Sequence, residues 1–396
     1  MNQYSIQKEK HFQTKQLLKD MNVDWWITVG RETSMNNDPV LPLISSIDFT
    51  ALAAVIMTSE KSTALVGHND AEGLRQTGVF DEIIGYDTSF EQELTALLHR
   101  DIPKTIAINY SLDDVAADGL SHGLYLKLMN IFEKAEYQGA VHSSQEIISR
   151  VRGCKSHTEI QRIQGAIQLT EIIYEDARKF IKEGVTEKDI YQFFHERMKV
   201  NGVIPSWQAS QCPGVMVGPE TVTGHNGPTD IVAEKGYVMD LDFGVVLNGY
   251  CSDLQRAYYV LDDGEEQACD EVQTAFDVVQ EAIGRALKEM KPGKTGNEID
   301  KIARDYIVSQ GYPEWTHGLG HQVGRLVHDG GVSLGPSKWE RYTDKEVNQP
   351  VEEGMVFTLE PGIRTSRGYV GQEEVAVVTK DGGRLLSNPQ KGIFLV

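Results

Sequence analysis

The chain has 396 residues, 40% of them hydrophobic and 24% charged, which excludes disordered and low-complexity classes; at about 150 residues per domain it predicts two to three domains. Asp plus Glu number 58 against 38 Lys plus Arg, and the net charge of −20 repels phosphate backbones and acidic bilayers, so neither nucleic acid nor a membrane is an expected partner.

Residues Met1 to Asp20 carry charges throughout, without the apolar core of a signal peptide, and no later run approaches ~18 uninterrupted apolar residues. A cytoplasmic protein is expected. Cys154, Cys212, Cys251 and Cys269 lack CxxC spacing and are too few for a disulfide framework, so they read as reduced and mostly buried.

Up to about residue 150, apolar runs at Asp24 to Val29, Ala51 to Met57 and Thr63 to Val66 predict strands, and Phe90 to Leu98 predicts a helix. This is a mixed α/β unit without ligand-like clusters of His, Cys or carboxylates, which favours a structural or oligomerisation role. The polar string SRVRGCKSH, Ser149 to His157, marks a boundary that divides the chain into domains 1–153 and 154–396. A helix follows, with Ile160, Ile163, Ile167, Tyr174, Ala177 and Ile181 on one face.

The second part repeats itself. Lys182 to Ile190 reads KEGVTEKDI and Lys291 to Ile299 reads KPGKTGNEI, so Gly184, Thr186 and Ile190 recur 109 residues later. Downstream, KGYVMDLDFG from Lys235 aligns with EGMVFTLEPG from Glu353, setting Asp242 against Glu360. A pseudo-symmetric domain with an acidic residue at matching points of its halves follows.

Asn248-Gly249 lies between apolar runs, a strong hairpin signal, and pairing about it sets Asp242 opposite Gln255 and Asp253 opposite Gly244. Both aspartates then share one face. In the second copy a turn at Thr365 to Gly368 sets Glu360 opposite Glu373. Four carboxylates from related hairpins repel one another in a low-dielectric interior unless cations neutralise them, and two divalent ions balance the four charges. Oxygen-dominated ligation favours Mn²⁺, with Co²⁺, Fe²⁺ or Zn²⁺ as alternatives. Three of the 11 histidines, His317, His321 and His328, crowd into HGLGHQVGRLVH, where Gly318, Gly320 and Gly324 argue against a helical zinc motif.

Together these strings resemble the metallopeptidase superfamily of methionine aminopeptidase, aminopeptidase P and prolidase, strongly over residues 155 to 396. The resemblance implies an α+β pseudo-symmetric pita-bread catalytic domain behind an α/β N-terminal domain like that of prolidase, aminopeptidase P and creatinase. It implies that Asp242, Asp253, His321, Glu360 and Glu373 bind two metal ions and that a hydroxide bridging them attacks the substrate. Glu360 would also handle the water proton, His225 and His328 would steady the tetrahedral intermediate, and His317 would line the substrate site. The implied reaction is hydrolysis of Xaa-Pro bonds at the N-terminus of dipeptides or short peptides, by a homodimer; hydrolysis of a small-molecule amide and a peptide-binding pseudoenzyme are the rivals. The chain departs from the family pattern at Gly371-Gln372, where Arg-Ile is common, at Gln255, and at Arg325, a position often apolar.

Overall fold

The computed structural model describes residues 4–222, 224 and 226–396. The chain divides into two compact units, Met1–Thr158 and Glu159–Val396. The division falls just inside a helix that starts at His157, five residues after the expected boundary between 153 and 154.

In the first unit a six-stranded sheet is built from β1 (Trp25–Gly30), β2 (Ala53–Met57), β3 (Ser62–Gly67), β4 (Glu82–Tyr86), β5 (Thr105–Ile108) and β6 (Ala140–Ser143), in the order β4-β3-β2-β1-β5-β6. The expected strands and helix are all present. The pairs β3/β4, β1/β5 and β5/β6 are parallel, while β1/β2 and β2/β3 are antiparallel and only β2/β3 is a hairpin. Strands β1 and β2 are buried along their whole length, which explains why their sequences are near-continuous apolar runs.

Among the described residues six α-helices accompany the sheet: α1 (Ser5–Met21), α2 (Leu41–Ile44), α3 (His68–Thr77), α4 (Phe90–Asp101), α5 (His122–Lys134) and α6 (Gln145–Gly153). Ser89 caps α4 by accepting from the Gln92 amide, and Glu91 and Glu93 complement the helix dipole in the first turn. Leu94 and Leu97 of α4 and Leu128 and Ile131 of α5 then bury themselves with Ile27, Val29, Ile106 and Ile108 of the sheet.

The second unit consists of two related halves. Helices α7 (His157–Phe180) and α8 (Glu187–Asn201) precede β7 (Ile204–Pro205), β8 (Gly214–Val217), β9 (Val238–Phe243), β10 (Val245–Leu247), β11 (Tyr250–Cys251) and β12 (Leu254–Tyr259). Helices α9 (Asp270–Glu289) and α10 (Gly296–Ser309) precede the short α11 (Asp344–Val347), then β13 (Val356–Leu359), β14 (Gly362–Thr365), β15 (Gly368–Gly371), β16 (Glu374–Thr379), β17 (Gly382–Leu385) and β18 (Phe394–Leu395). The repeat extends to individual bonds. Thr186 and Thr295 each cap a helix through a full capping box, with Asp189 and Glu298, three residues further on in the first turn, as the reciprocal partners. Gly184 donates to the Ala233 carbonyl at 2.9 Å, and Gly293 donates to Val351 at 3.0 Å. Thr186 bridges to Val232 as Thr295 does to Pro350. This is the pseudo-symmetric architecture the repeated strings predict.

Helix α7 is seated by Tyr174, whose hydroxyl donates to the Leu241 and Leu254 carbonyls at 2.8 and 2.7 Å. That hydroxyl joins β9 to β12 behind the acidic residues. No disulfide joins the four cysteines; Cys212 and Cys251 are buried and Cys154 and Cys269 only half-buried.

Candidate metal centre

Both hairpin registers are as the sequence predicts. Asp242 pairs with Gln255 across β9/β12, about the Asn248-Gly249 turn, where the two residues have φ of 51° and 76°. In the second half, Gly362 pairs with Gly371 and Leu359 with Glu374, so Glu360 and Glu373 leave their strands at the same level. The HGLGH segment is not helical; it lies along β13, with the His321 amide donating to Thr358 Oγ1 (3.1 Å) and the Thr358 amide donating to the His321 carbonyl (2.9 Å).

These strands bring one ligand atom each of Asp253, His321 and Glu373 within 4.8 Å of one another. Glu360 joins them, with Oε1 3.4 Å from His321 Nε2, while Asp253 Oδ2 is 3.5 Å from the same nitrogen. Asp242 completes the group beside Asp253, close enough for each carboxyl to shift the ionisation of the other. Burial grades across the cluster: Asp253 and Glu373 are buried, Asp242, Glu360 and His321 are half-buried, and His328 is exposed at the rim.

Burial is the largest influence on every charge here. It pushes Asp242 up to about 7 and Glu360 up to about 8, and it raises Asp253 and Glu373 well above the carboxylate range, with the neighbouring carboxylates adding to the last three. Burial also lowers His321 to about 3. Asp242 Oδ1, Asp253 Oδ1 and Glu373 Oε2 are buried and find no hydrogen-bond donor among the described residues. Unpaired acceptors converging on an imidazole that resists protonation fit a divalent cation: its charge offsets the repulsion and its vacant orbitals take the orphaned oxygens.

The remaining expected residues lie around this cluster. The His328 ring stands against that of His321, and His317 places Nδ1 3.8 Å from Glu360 Oε2 and Nε2 3.5 Å from the Tyr369 hydroxyl. His225 lies outside the described residues. The segment that follows β8 is tied to α8 by Glu187, whose carboxylate accepts from the Val217 amide, the Thr221 hydroxyl, and the Thr229 amide and hydroxyl at 2.7 to 3.1 Å.

Three supporting groups escape a reading of the sequence. Thr358 donates to Glu360 Oε1 at 3.1 Å and so orients it. Arg256, paired with Glu374 at 3.1 Å, donates to the carbonyls of Gln255 and Glu373 and thereby locks the two hairpins together beside their ligands. Tyr369 backs His317. The one available signal was adjacency, since Arg256 and Glu374 each neighbour residues of the acidic pattern. The departures also find a physical reason at Gly371: a Cβ there would lie 2.5 Å from Gln255 Oε1 and 2.9 Å from Asp240 Oδ2, so Gln255 and the fully buried Asp240 occupy the room of a side chain.

Two half-domains folding one carboxylate-rich cluster between their hairpins define a metallohydrolase of the pita-bread type. The chain belongs to metallopeptidase family M24, whose family model matches residues 161–380. It is similar to the Xaa-Pro dipeptidase of Lactobacillus helveticus, at 31% identity over 290 residues covering 71% of this chain and 72% of that one. Among solved structures, the Xaa-Pro dipeptidase from Bacillus anthracis superposes with a TM-score of 0.73 at 22% identity, covering 98% of this chain and 100% of that chain. The X-Pro aminopeptidase from Thermotoga maritima MSB8 gives 0.72 at 25% identity, covering 97% and 100%.

Proposed function

We propose that the protein hydrolyses Xaa-Pro bonds at the N-terminus of dipeptides or short peptides, with two divalent ions, Mn²⁺ by preference, held by Asp242, Asp253, His321, Glu360 and Glu373. The observation that carries the reading is the convergence of Asp253, His321 and Glu373 on one point, with buried oxygens left unpaired around it. The Xaa-Pro dipeptidase relative supports the substrate class. Co²⁺, Fe²⁺ and Zn²⁺ suit the same donor set.

Bound divalent ions supply Lewis acidity toward the scissile carbonyl and bring the pKa of water near neutrality. Glu360, oriented by Thr358 and facing His317, takes the proton of the attacking water and returns it to the departing proline nitrogen. His328, exposed beside His321, donates a hydrogen bond to the carbonyl oxygen as charge develops on it. His317, backed by Tyr369, lines the substrate side. His225 takes the second stabilising role by the family resemblance alone. That resemblance also supports a homodimer and an N-terminal unit of the creatinase and prolidase type. No helix among the described residues is long and apolar enough to cross a membrane, and a cytoplasmic location agrees with that.

The test is turnover by chelator-treated protein reloaded separately with Mn²⁺, Co²⁺ or Zn²⁺, offered Xaa-Pro dipeptides, Xaa-Pro tripeptides, creatine and other small amides. Cleavage of the proline substrates alone supports the proposal. Turnover confined to the non-peptide amides overturns it.

A further inference from the structure

Arg304 on α10 is a buried cation for which the proposed chemistry has no direct use. Its guanidinium holds Asp300 in a two-pronged pair, Nε to Oδ2 at 2.8 Å and Nη2 to Oδ1 at 2.7 Å, and both side chains are almost wholly buried. Nη1 also donates to the Trp315 carbonyl at 2.9 Å and Nη2 to the His317 carbonyl at 2.7 Å, and Nη1 lies 3.9 Å from Glu314 Oε2. The guanidinium carbon also lies 4.0 Å from the ring centre of Trp315 and 4.7 Å from that of Trp339.

Asp300 completes the grip. Its Oδ1 accepts from the Leu319 amide at 3.0 Å, and the Leu319 carbonyl accepts from the Glu360 amide at 2.8 Å. Two hydrogen bonds therefore connect a helix side chain to the backbone of a candidate ligand. Between the clamped carbonyl of His317 and the Thr358 bonds of His321 only three residues intervene.

We propose that Asp300 and Arg304 are positioning residues for the metal centre, fixing the Trp315–His321 backbone and, through Leu319, the main chain of Glu360. The proposal rests on reading His321 and Glu360 as ligands. Physical reasons favour positioning over stabilisation alone. A buried ion pair is often no more stable than well-packed apolar side chains of like volume, whereas a planar fork with five fixed donors defines orientation in a way that Lys does not. Groups that orient ligands typically change metal affinity by about 10- to 100-fold when lost.

The experiment uses the full chain, stripped with chelator, as wild type, Arg304→Lys, Asp300→Asn and the double variant Asp300→Leu/Arg304→Met. Calorimetric titration with Mn²⁺ is read beside amide exchange of peptides spanning residues 315–321 and 356–361, with 238–259 as the internal control, and beside denaturant unfolding. The proposal expects the single variants to bind at least one Mn²⁺ equivalent about 10- to 100-fold more weakly, with faster exchange at Leu319 and Glu360 and an unchanged control. It expects kcat to fall while KM stays within about threefold, because the metal geometry, rather than uniform substrate binding, is disturbed. The double variant keeps the experiment decisive should the single ones fail to fold. If it recovers stability without recovering Mn²⁺ affinity, the pair positions; if both recover, or if affinity stays at wild type while Leu319 exchange accelerates, the proposal is overturned. Wild-type protein that takes up no Mn²⁺ would instead remove the metal reading, and the proposal with it.

Discussion

The His328 ring stands at 82° to that of His321, with the centroids 4.1 Å apart, yet His321 faces Asp253 and Glu360 whereas His328 is exposed. Two neighbouring imidazoles thus divide between the cluster and the solvent side. His328→Ala should lower kcat by about 10²- to 10⁴-fold with metal content unchanged. His321→Ala should lose metal. Kinetics and metal analysis on both variants check this, and equal metal loss in the two would show that His328 is itself a ligand.

Asp253 is buried beside Asp242 within the cluster, and Asp253→Asn is nearly isosteric while removing one negative charge. The variant should keep its fold and lose most turnover. Retention of more than about a tenth of wild-type activity, a barrier change under ~1.4 kcal/mol, would contradict its assignment as a ligand.

The raised carboxylates make stability depend on pH. Asp242 at about 7 and Glu360 at about 8 in the folded protein compare with ordinary values of 3.8 and 4.5, so between those limits the folded state binds more protons than the unfolded state. Stability contributed by these groups is complete below the ordinary values and is lost as pH rises through the folded ones. Chelator-treated protein should therefore melt at progressively lower temperature from about pH 5 to pH 8. Metal should raise the melting temperature most at the alkaline end. Thermal unfolding with and without Mn²⁺ checks this, and a metal-induced shift that shrinks as pH rises would contradict it.

The buried Glu187 carboxylate gathers donors from Val217, Thr221 and Thr229. Glu187→Gln turns part of that acceptor into a donor facing other donors, at a cost of about 1–3 kcal/mol. Limited proteolysis should then cut between residues 217 and 229 sooner than in the wild type, with the α9/α10 half unaffected. An unchanged cleavage pattern and unchanged unfolding would show the carboxylate to be dispensable.

What was readable in the sequence was local. The Asn248-Gly249 turn and strand periodicity determine which residues oppose each other in a hairpin, so the Asp242–Gln255 pairing follows from a count of residues along the chain. The repeat exposes the second hairpin in the same way. The supporting shell was not readable, because its meaning lies in contacts between distant segments: Arg256 donates to the carbonyl of Asn388, and Asp300 receives the amide of Leu319. Nothing in the strings around Asp300 or Glu187 distinguishes them from the solvated acids that dominate an acidic surface. Arg304 likewise reads as an ordinary helix cation until Trp315 and Trp339 are seen beside its guanidinium.

Whether the carboxylate cluster is a metal centre is decided by elemental analysis, by mass spectrometry, of protein purified without chelator. Four carboxylates and one imidazole call for two divalent ions by charge balance, so the expected result is close to two per chain, falling together with activity on chelation. At most a trace of divalent metal, in protein whose Asp253, His321 and Glu373 are intact, would contradict the account.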